Sequence, residues 1–367
     1  MRLCNICKNR FLFSPSIKFN VVDYRECEIC KGNIKGFVEL FNLKLNGVVD
    51  YLKTRGVKRF SISTLVNRKY IIGDEEIFDI SPAESLKSFI NKYVIDNISK
   101  NGFIYDPLDS DIRLLISYPD VLISFEKRPV YVFGIYKKYK PNIAQKKWRK
   151  EKFPSIEGFI GDAFLNIIGG DKYYMHASGR EDVDAINIGG RPFVFEIHNP
   201  NMYYFDDKLR DVEREVVSLS NGAVSVELFG RVKQSFVTLV SDSHFDKSYR
   251  AYLSTELSDE EKAKVISTLS STVISQMTPT RVIRRRANLM RKRKLYAISF
   301  GEDVKGQYID VKTEAGMYVK ELISGDNGRT KPSISEIIGR DIKCTFLIVT
   351  RMDYDFIMEA FKYARIV

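Results

Sequence analysis

A short segment, Gly179–Ala185, concentrates residue types that could do chemistry. It sets Arg180 beside three carboxylates, Glu181, Asp182 and Asp184. A carboxylate held near a positive charge stays ionised even when it is buried, and it can then act as a nucleophile. The residue types alone do not show which of the three carboxylates would be the nucleophile. An aspartate close to a glycine also more often caps a turn.

A second segment, Ala315–Leu322, holds the groups that could complete such a site. Tyr318 offers an aromatic ring and Lys320 a cation. Each also has a purely structural interpretation. Tyr318 could be a core or surface aromatic residue whose hydroxyl contacts water. Lys320 followed by Glu321 could be an exposed pair of little energetic weight. Together the two segments predict carboxylate chemistry.

Other enzyme classes find little support in the chain. It has only three histidines, His176, His198 and His244, and none has metal-ligand spacing to another histidine or cysteine. Catalytic zinc and Ser-His-Asp chemistry are therefore poorly supported. The sequence also lacks the glycine-rich phosphate loop and the dinucleotide fingerprint. We expect no organic cofactor.

The first four cysteines form two Cys-x-x-Cys pairs separated by 19 residues. They are Cys4, Cys7, Cys27 and Cys30. This spacing is typical of two knuckles that present four thiolates to one tetrahedral zinc ion, a closed and therefore structural site. Cys344 stands alone among strand-type residues and is interpreted as a buried core thiol.

The chain is basic, with 58 Lys and Arg against 47 Asp and Glu and a net charge of +11. Such a charge favours a polyanionic partner, most often nucleic acid. One basic stretch, Tyr136–Lys152, interleaves cations with aromatic rings and predicts RNA contact, although a solvated linker would look similar. A second, Arg281–Lys294, predicts contact with phosphates.

A length of 367 residues predicts two or three domains. No apolar run approaches the roughly 18 residues that span a bilayer. The chain starts without the apolar core of a signal peptide, so we expect a cytoplasmic protein that does not enter membranes. No obligate protein partner is evident.

Hydrophobic periodicity and capping signals predict a mixture of helices and strands. The predicted helices begin at Ser81, after Ser155, at Lys208 and at the capping box Ser258–Glu261. The predicted strands are Val121–Phe125, Val130–Phe133, Phe193–Ile197, Phe236–Val240, Leu295–Phe300, Tyr308–Val311 and Thr345–Val349. The chain is therefore expected to be α+β.

Seven segments carry a resemblance to a known family, namely Gly179–Asp184, Gly190–Phe193, Asn199–Pro200, Lys247–Ala251, Pro279–Val282, Ala315–Leu322 and Gly325–Ser333. They resemble the archaeal and eukaryotic tRNA pseudouridine(54/55) synthases. The resemblance spans nearly the whole chain and is strongest over Ser178–Pro200 and Arg281–Ser333. The chain departs from that family at Ile186–Gly189, where the bridge to the next glycine is short and lacks an arginine.

The resemblance implies an α+β architecture in two parts. Residues 1–148 would form an accessory RNA-binding domain, with a zinc site at 4–30 and a THUMP-like module at about 35–140. Residues 149–367 would form a pseudouridine synthase catalytic domain, with a mixed, mainly antiparallel sheet flanked by helices. The implied activity is the isomerisation of uridine to pseudouridine at positions 54 and/or 55 of the tRNA TΨC arm, on a flipped-out base.

The same resemblance implies roles for particular residues. Asp182 is the nucleophile, Tyr249 stacks on the target base, and Lys320 pairs with the aspartate. The remaining predicted substrate contacts are Arg180, Tyr318, Val319 and Leu347, of which the last two line the uracil pocket. The alternative is a non-catalytic zinc-ribbon RNA-binding protein with a decayed active site, and turnover distinguishes the two.

Overall fold

The structure is a computed structural model that describes residues 1–10, 18–71, 84–147, 153–285 and 287–366. It forms two compact units. The first comprises Met1–Val130, Ile168–Lys172 and His198–Phe205, and the second comprises Tyr131–Ile167, Tyr173–Ile197 and Asp206–Val367. The predicted functional division at residue 148 stays a prediction.

The strands, in chain order, are β1 (Arg2–Leu3), β2 (Asn20–Val21), β3 (Arg59–Val66), β4 (Ile104–Tyr105), β5 (Ile112–Tyr118), β6 (Ile123–Lys127), β7 (Val130–Lys138), β8 (Lys172–Ala177), β9 (Ile186–His198), β10 (Val224–Val232), β11 (Lys247–Leu253), β12 (Val273–Met277), β13 (Met290–Asp303), β14 (Gly306–Thr313), β15 (Thr330–Lys331) and β16 (Cys344–Met352). The α-helices are α1 (Asn5–Arg10), α2 (Asn33–Thr54), α3 (Leu86–Ser99), α4 (Ile156–Ile168), α5 (Leu209–Leu219), α6 (Ser235–Asp242), α7 (Asp259–Leu269), α8 (Val319–Ser324), α9 (Ile334–Ile338) and α10 (Asp355–Ala364).

The first unit contains a four-stranded sheet in the order β4-β3-β5-β6. Strand β3 runs parallel to β4 and β5, and β5 runs antiparallel to β6. Alternate residues of β5 are buried, as expected for a strand with one face on a core. Helix α3 buries Leu86, Ile90, Val94 and Ile98 at four-residue spacing, which gives it one apolar stripe.

Helix α3 begins at Leu86, and the side chain of Ser85 caps it by accepting a hydrogen bond from the Ser88 N–H. The start predicted at Ser81 lies outside the described residues.

The second unit is built on a large sheet in the order β10-β7-β9-β16-β11-β14-β13-β12-β15, with β8 paired to β9. Strands β9 and β16 are parallel, whereas β11 is antiparallel to both β14 and β16. The pairs β7–β10 and β13–β14 are antiparallel as well. The mixed, mainly antiparallel sheet and the α+β class are therefore confirmed.

Three of the predicted helices in this unit are confirmed as α4, α5 and α7. Helix α5 buries Leu209, Val212 and Val216. Helix α7 begins with the predicted capping box, in which Ser258 and Glu261 each accept from the other's backbone N–H. The prediction of a strand at Phe236–Val240 is wrong, because this segment lies in helix α6. Phe236 and Val240 are buried while Leu239 is exposed, which is the four-residue period of a helix.

Much of the core of the second unit lies under one part of the sheet. A buried cluster joins Ala185, Ala251, Val319 and Leu347, which come from four distant parts of the chain. Tyr249 packs against this cluster. The cluster thus fixes the backbone of several residues that the sequence had singled out. In the part of the chain that the structure describes, no helix is both long and apolar enough to cross a bilayer.

Candidate active site and cysteine cluster

A cavity of about 350 Å³ opens in the second unit, a size suited to a small ligand or a single nucleobase with its sugar. Its lining comes from the 178–185 loop, strands β11 and β16, the 3₁₀ helix Thr280–Arg285 and the start of α8. It brings together all seven predicted catalytic and substrate-binding residues, namely Arg180, Asp182, Tyr249, Tyr318, Val319, Lys320 and Leu347.

Asp182 lies at this cavity with its side chain 32% exposed. Its Oδ1 accepts a hydrogen bond of 2.7 Å from Nη1 of Arg281. Its Oδ2 lies 3.5 Å from Nζ of Lys320. Burial disfavours the charged form, but the charge and hydrogen bond of Arg281, with help from Lys320, outweigh it and lower the pKa of Asp182. Asp182 is therefore an ionised and accessible carboxylate.

Arg281 is the main partner of Asp182, although its place in the basic run Arg281–Lys294 predicts phosphate contact. Its Nε donates to Oε1 of Glu321 at 2.7 Å, and its Nη2 to Oε2 at 3.3 Å. The Glu321 side chain is only 6% exposed. The guanidinium is thus held in a fork by one carboxylate while it presents its other edge to Asp182. The sequence indicates this role of Arg281 only through its position in Pro279–Val282, a segment that matches the family that the chain resembles.

Lys320 was expected to pair with Asp182, but it is closer to Asp184. Its Nζ lies 2.7 and 2.8 Å from the two carboxylate oxygens of Asp184. The Asp184 side chain is 66% exposed. Lys320 therefore bridges both aspartates at the cavity, with Asp182 the more distant partner.

Glu181, the third carboxylate of the loop, is turned inward. Its side chain is 3% exposed and accepts from Nε of Arg191 at 2.8 Å. The hydroxyl of Tyr136 donates to the same carboxylate at 3.0 Å, and Gln145 donates in turn to that hydroxyl. Glu181 is thus a closed structural ion pair.

The basic stretch Tyr136–Lys152 was interpreted as an RNA surface. For Tyr136 and Lys138 this interpretation is wrong, because both side chains are fully buried. The hydroxyl of Tyr136 donates to Glu181, and the ammonium of Lys138 donates to backbone carbonyls. Lys137 and Tyr139 are exposed. The end of the stretch, residues 148–152 with its tryptophan, lies outside the described residues.

Tyr249 and Lys247 project from the same face of β11, because alternate residues of a strand share a face. Both line the cavity. Burial, opposed by the nearby charge of Arg191, raises the pKa of Tyr249 to about 12, so its ring is a neutral surface. Burial and the same arginine lower the pKa of Lys247 to about 8. Lys247 is a cavity residue that the sequence analysis did not single out.

The segment Gly325–Ser333 contacts the backbone next to Arg281. Asp326 accepts hydrogen bonds from the backbone and the hydroxyl of Thr280, next to Arg281. Arg329 donates to the carbonyl of Thr278 at 2.8 Å. Residues 325–328 all have positive φ angles, which explains two glycines within this short turn. The segment therefore fixes the backbone that presents Arg281.

The remaining predicted contacts lie around the rim and floor. Arg180 is exposed at the rim. Val319 and Leu347 are buried apolar residues that line the cavity. The backbone of Tyr318 is held by Gln276, whose amide both accepts from its N–H and donates to its carbonyl at 2.9 Å.

The segment Ile186–Gly189, where the chain departs from the resembling family, forms the start of β9. Ile186 and Asn187 pair in parallel with Ile348 and Val349 of β16. The loop that carries Asp182 therefore leads directly into the middle of the sheet.

The four N-terminal cysteines converge in the first unit. Cys4, Cys7, Cys27 and Cys30 are all buried, and their sulfur atoms lie within 4.8 Å of one another. The Sγ atoms of Cys4 and Cys30 are 3.7 Å apart. A tetrahedral ion with Zn–S bonds of about 2.3 Å requires sulfur atoms about 3.8 Å apart. The group therefore fits a single metal ion.

Cys344, expected to be buried, is half-buried at the start of β16, and burial raises the pKa of its thiol to about 11.

Comparison with known proteins identifies the family to which the chain belongs. A family model described as "Pus10, C-terminal" matches residues 131–353, which is more than half of the chain. The chain belongs to the Pus10 family. The expected membership among pseudouridine synthases is thereby confirmed.

Curated Pus10 relatives match nearly the whole chain. The tRNA pseudouridine synthase Pus10 of Pyrococcus furiosus is 36% identical over 360 residues, covering 93% of this chain and 87% of the relative. The protein of the same name from Thermoplasma acidophilum is 31% identical over 345 residues, covering 91% and 86%. A solved Cbf5-Nop10-Gar1 complex contains a chain that is 16% identical, with a TM-score of 0.32, covering 59% of this chain and 57% of that one. At that score the structural likeness adds nothing to the family assignment.

Proposed function

We propose that this protein is a tRNA pseudouridine synthase of the cytoplasm that isomerises uridine at positions 54 and/or 55 of the TΨC arm. Asp182 acts as its nucleophile. The observation that carries the proposal is the ionised, one-third exposed Asp182 held by Arg281 at a cavity of nucleoside size. Family membership supplies the substrate class.

Asp182 is preferred over its two neighbours because of what surrounds each carboxylate. The side chain of Glu181 is only 3% exposed and is held by Arg191 and Tyr136. Asp184 is mostly exposed, so water weakens the influence of Lys320 on it. Asp182 alone of the three combines partial burial, a short cationic partner and access to the cavity.

The reaction fits the groups present. Isomerisation breaks the N1–C1′ bond and forms a C5–C1′ bond, and the proton lost from C5 is balanced by one gained at N1. Atoms and electrons therefore balance without an oxidant or reductant. The carboxylate of Asp182 is already deprotonated for attack on the base or the sugar carbon, since Arg281 lowers its pKa. The bond that it forms breaks again before the product leaves, which returns Asp182 as a free carboxylate. Tyr249 provides a neutral ring for the extruded base, above an apolar floor of Val319 and Leu347.

The test is turnover on a defined substrate. An unmodified tRNA transcript is incubated with the protein, and pseudouridine is mapped chemically, in parallel with transcripts in which uridine 54 or uridine 55 is replaced by cytidine. We expect pseudouridine at one or both positions and nowhere else in the tRNA. Tight tRNA binding without any pseudouridine would reject this function and favour the non-catalytic RNA-binding alternative.

We further propose that the cysteine cluster holds one structural zinc ion and that the first unit, a THUMP-like module, grips the tRNA. The four buried sulfur atoms leave no position for a substrate, which supports a structural role. Protein purified without chelator is expected to contain about one zinc per chain. Cys27→Ser combined with Cys30→Ser should remove the zinc, whereas Cys344→Ser should retain it. A full zinc content in the double variant would contradict the assignment.

A further inference from the structure

We propose that Lys138 is a positioning residue that holds the backbone of Asp182 in place for the reaction. The catalytic part of this inference rests on the proposed function. Lys138 lies at the end of β7, is 0% exposed and does not line the cavity. It therefore acts on the reaction through Asp182.

The contacts of Lys138 converge on the loop that carries Asp182. Its Nζ donates to the carbonyl of Asp182 at 3.1 Å and to that of Val183 at 3.1 Å. A third bond of 3.2 Å goes to the carbonyl of Ile143. An ammonium has three N–H donors and a neutral amine only two, so this arrangement uses the full capacity of the protonated form.

The two loop carbonyls each accept a second hydrogen bond. The carbonyl of Asp182 also accepts from the N–H of Ala185 at 3.1 Å. The carbonyl of Val183 also accepts from the N–H of Asn142 at 2.8 Å. The peptide units after Asp182 are thus tied both to the loop itself and to the sheet. The side chain of Asp182 is held separately, by Arg281 at the cavity.

The anchor is rigid at its other end. Lys138 pairs with Val224 in the register of β7 and β10, so its backbone belongs to the large sheet. Glu181, next to Asp182, is held separately by Arg191 and Tyr136. Without the ammonium, the Glu181 contacts would still hold the loop on one side, while the peptides of Asp182 and Val183 would lose their link to β7. We expect local displacement of the nucleophile.

The test compares Lys138→Met with Lys312→Met. Methionine has a similar volume without donors, and Lys312 is an exposed lysine of the same sheet that pairs with Asp353. In single-turnover assays with saturating protein we expect Lys138→Met to lose about 10²-fold in rate, the size of a small nucleophile displacement. Its dissociation constant for tRNA should change less than about threefold, because Lys138 is buried and does not line the cavity. Lys312→Met should retain the wild-type rate.

Hydrogen exchange gives a readout that needs no turnover. Exchange in a peptide covering residues 178–185 should increase in Lys138→Met and stay at the wild-type rate in Lys312→Met. Unchanged exchange in that peptide would overturn the anchoring, even if the wild type proved inactive on tRNA. A wild-type turnover rate in Lys138→Met would overturn the catalytic part alone, whereas an inactive wild type would reject the proposed function.

A uniform increase of exchange over the whole sheet, or a loss of tRNA binding in parallel with rate, would show that Lys138 only supports the fold and would also overturn the proposal. If Lys138→Met does not fold, Lys138→Gln takes its place, because the amide keeps two N–H donors. An intermediate rate is expected for it. A wild-type rate, or failure of this variant to fold as well, would contradict the proposal.

Discussion

Two carboxylates that are neighbours in the chain, Glu181 and Asp182, have ion pairs of very different character. The Glu181–Arg191 pair is closed, with side chains 3% and 2% exposed. The Asp182–Arg281 pair is half open, with side chains 32% and 36% exposed. Both pairs include a short contact, of 2.8 and 2.7 Å. Distance alone therefore does not distinguish the closed pair from the half-open one.

The difference lies in what the second oxygen of each carboxylate can do. The single hydroxyl of Tyr136 lies 3.0 Å from both oxygens of Glu181, and Oε2 also accepts from Arg191, so both oxygens are engaged in a buried network. Asp182 has one oxygen on Arg281 and another 3.5 Å from Lys320, next to the cavity. A nucleophile needs a cation to stay ionised and also a free direction of attack. Asp182 meets both conditions.

The largest effect is expected from breaking the closed pair. Arg191→Met leaves Glu181 as an unpaired buried carboxylate and should lower the free energy of unfolding by about 3–5 kcal/mol. Lys320→Met, which breaks the exposed pair with Asp184, should cost only about 0–1 kcal/mol. Urea unfolding of both variants measures the contrast. Equal losses would mean that burial does not separate the two networks.

The next effect concerns the charge state of Asp182. Arg281→Gln removes the group that lowers the pKa of Asp182 and leaves burial opposed mainly by Lys320, so that pKa should rise. Activity then falls at a higher pH than in the wild type as the solution is acidified, because the carboxylate protonates earlier. At neutral pH we expect a rate loss of about 10²-fold from the misplaced side chain.

Single-turnover rates across a pH series measure both changes. Arg281→Lys keeps a cation and serves as the control, with an acid limb close to that of the wild type. An acid limb that does not move in Arg281→Gln would show that Arg281 does not control the ionisation of Asp182.

The smallest effect is expected at the exposed end of the network. Asp184→Asn releases Lys320, but Asp184 is 66% exposed and its pair is worth about 0–1 kcal/mol. The single-turnover rate should change less than about fivefold, which corresponds to about 1 kcal/mol. A much larger loss would show that Asp184 takes part in the reaction.

The predicted site residues that the structure brings together lie mostly in short segments whose residue types already indicate their chemistry. The paired cysteines and the carboxylate loop are of this kind, since each motif is local. The capping box at Ser258 and the apolar stripe of α5 were also local signals. The resemblance to a family added Tyr249, which no periodicity would have joined to Asp182, and it assigned Lys320 as the partner of that aspartate.

What was missed depends on contacts between distant segments. Arg281 lies 99 residues from Asp182, inside a basic run that suggested phosphate binding. Lys138 lay in another basic run, yet the fold buries it among carbonyls. Charge patterns report which residues are cationic and leave open which of them the fold buries. The helix at Phe236–Val240 was missed for a related reason, since a five-residue apolar run has no clear period.

The most direct test of the central claim compares Asp182→Ala with Asp184→Ala on the same unmodified tRNA transcript. Single-turnover pseudouridine formation and tRNA binding are measured for both variants. Asp182→Ala is expected to form no detectable pseudouridine while it binds tRNA with an affinity close to that of the wild type. Asp184→Ala should remain active. Pseudouridine formation by Asp182→Ala at a rate near that of the wild type would contradict the assignment of Asp182 as the nucleophile.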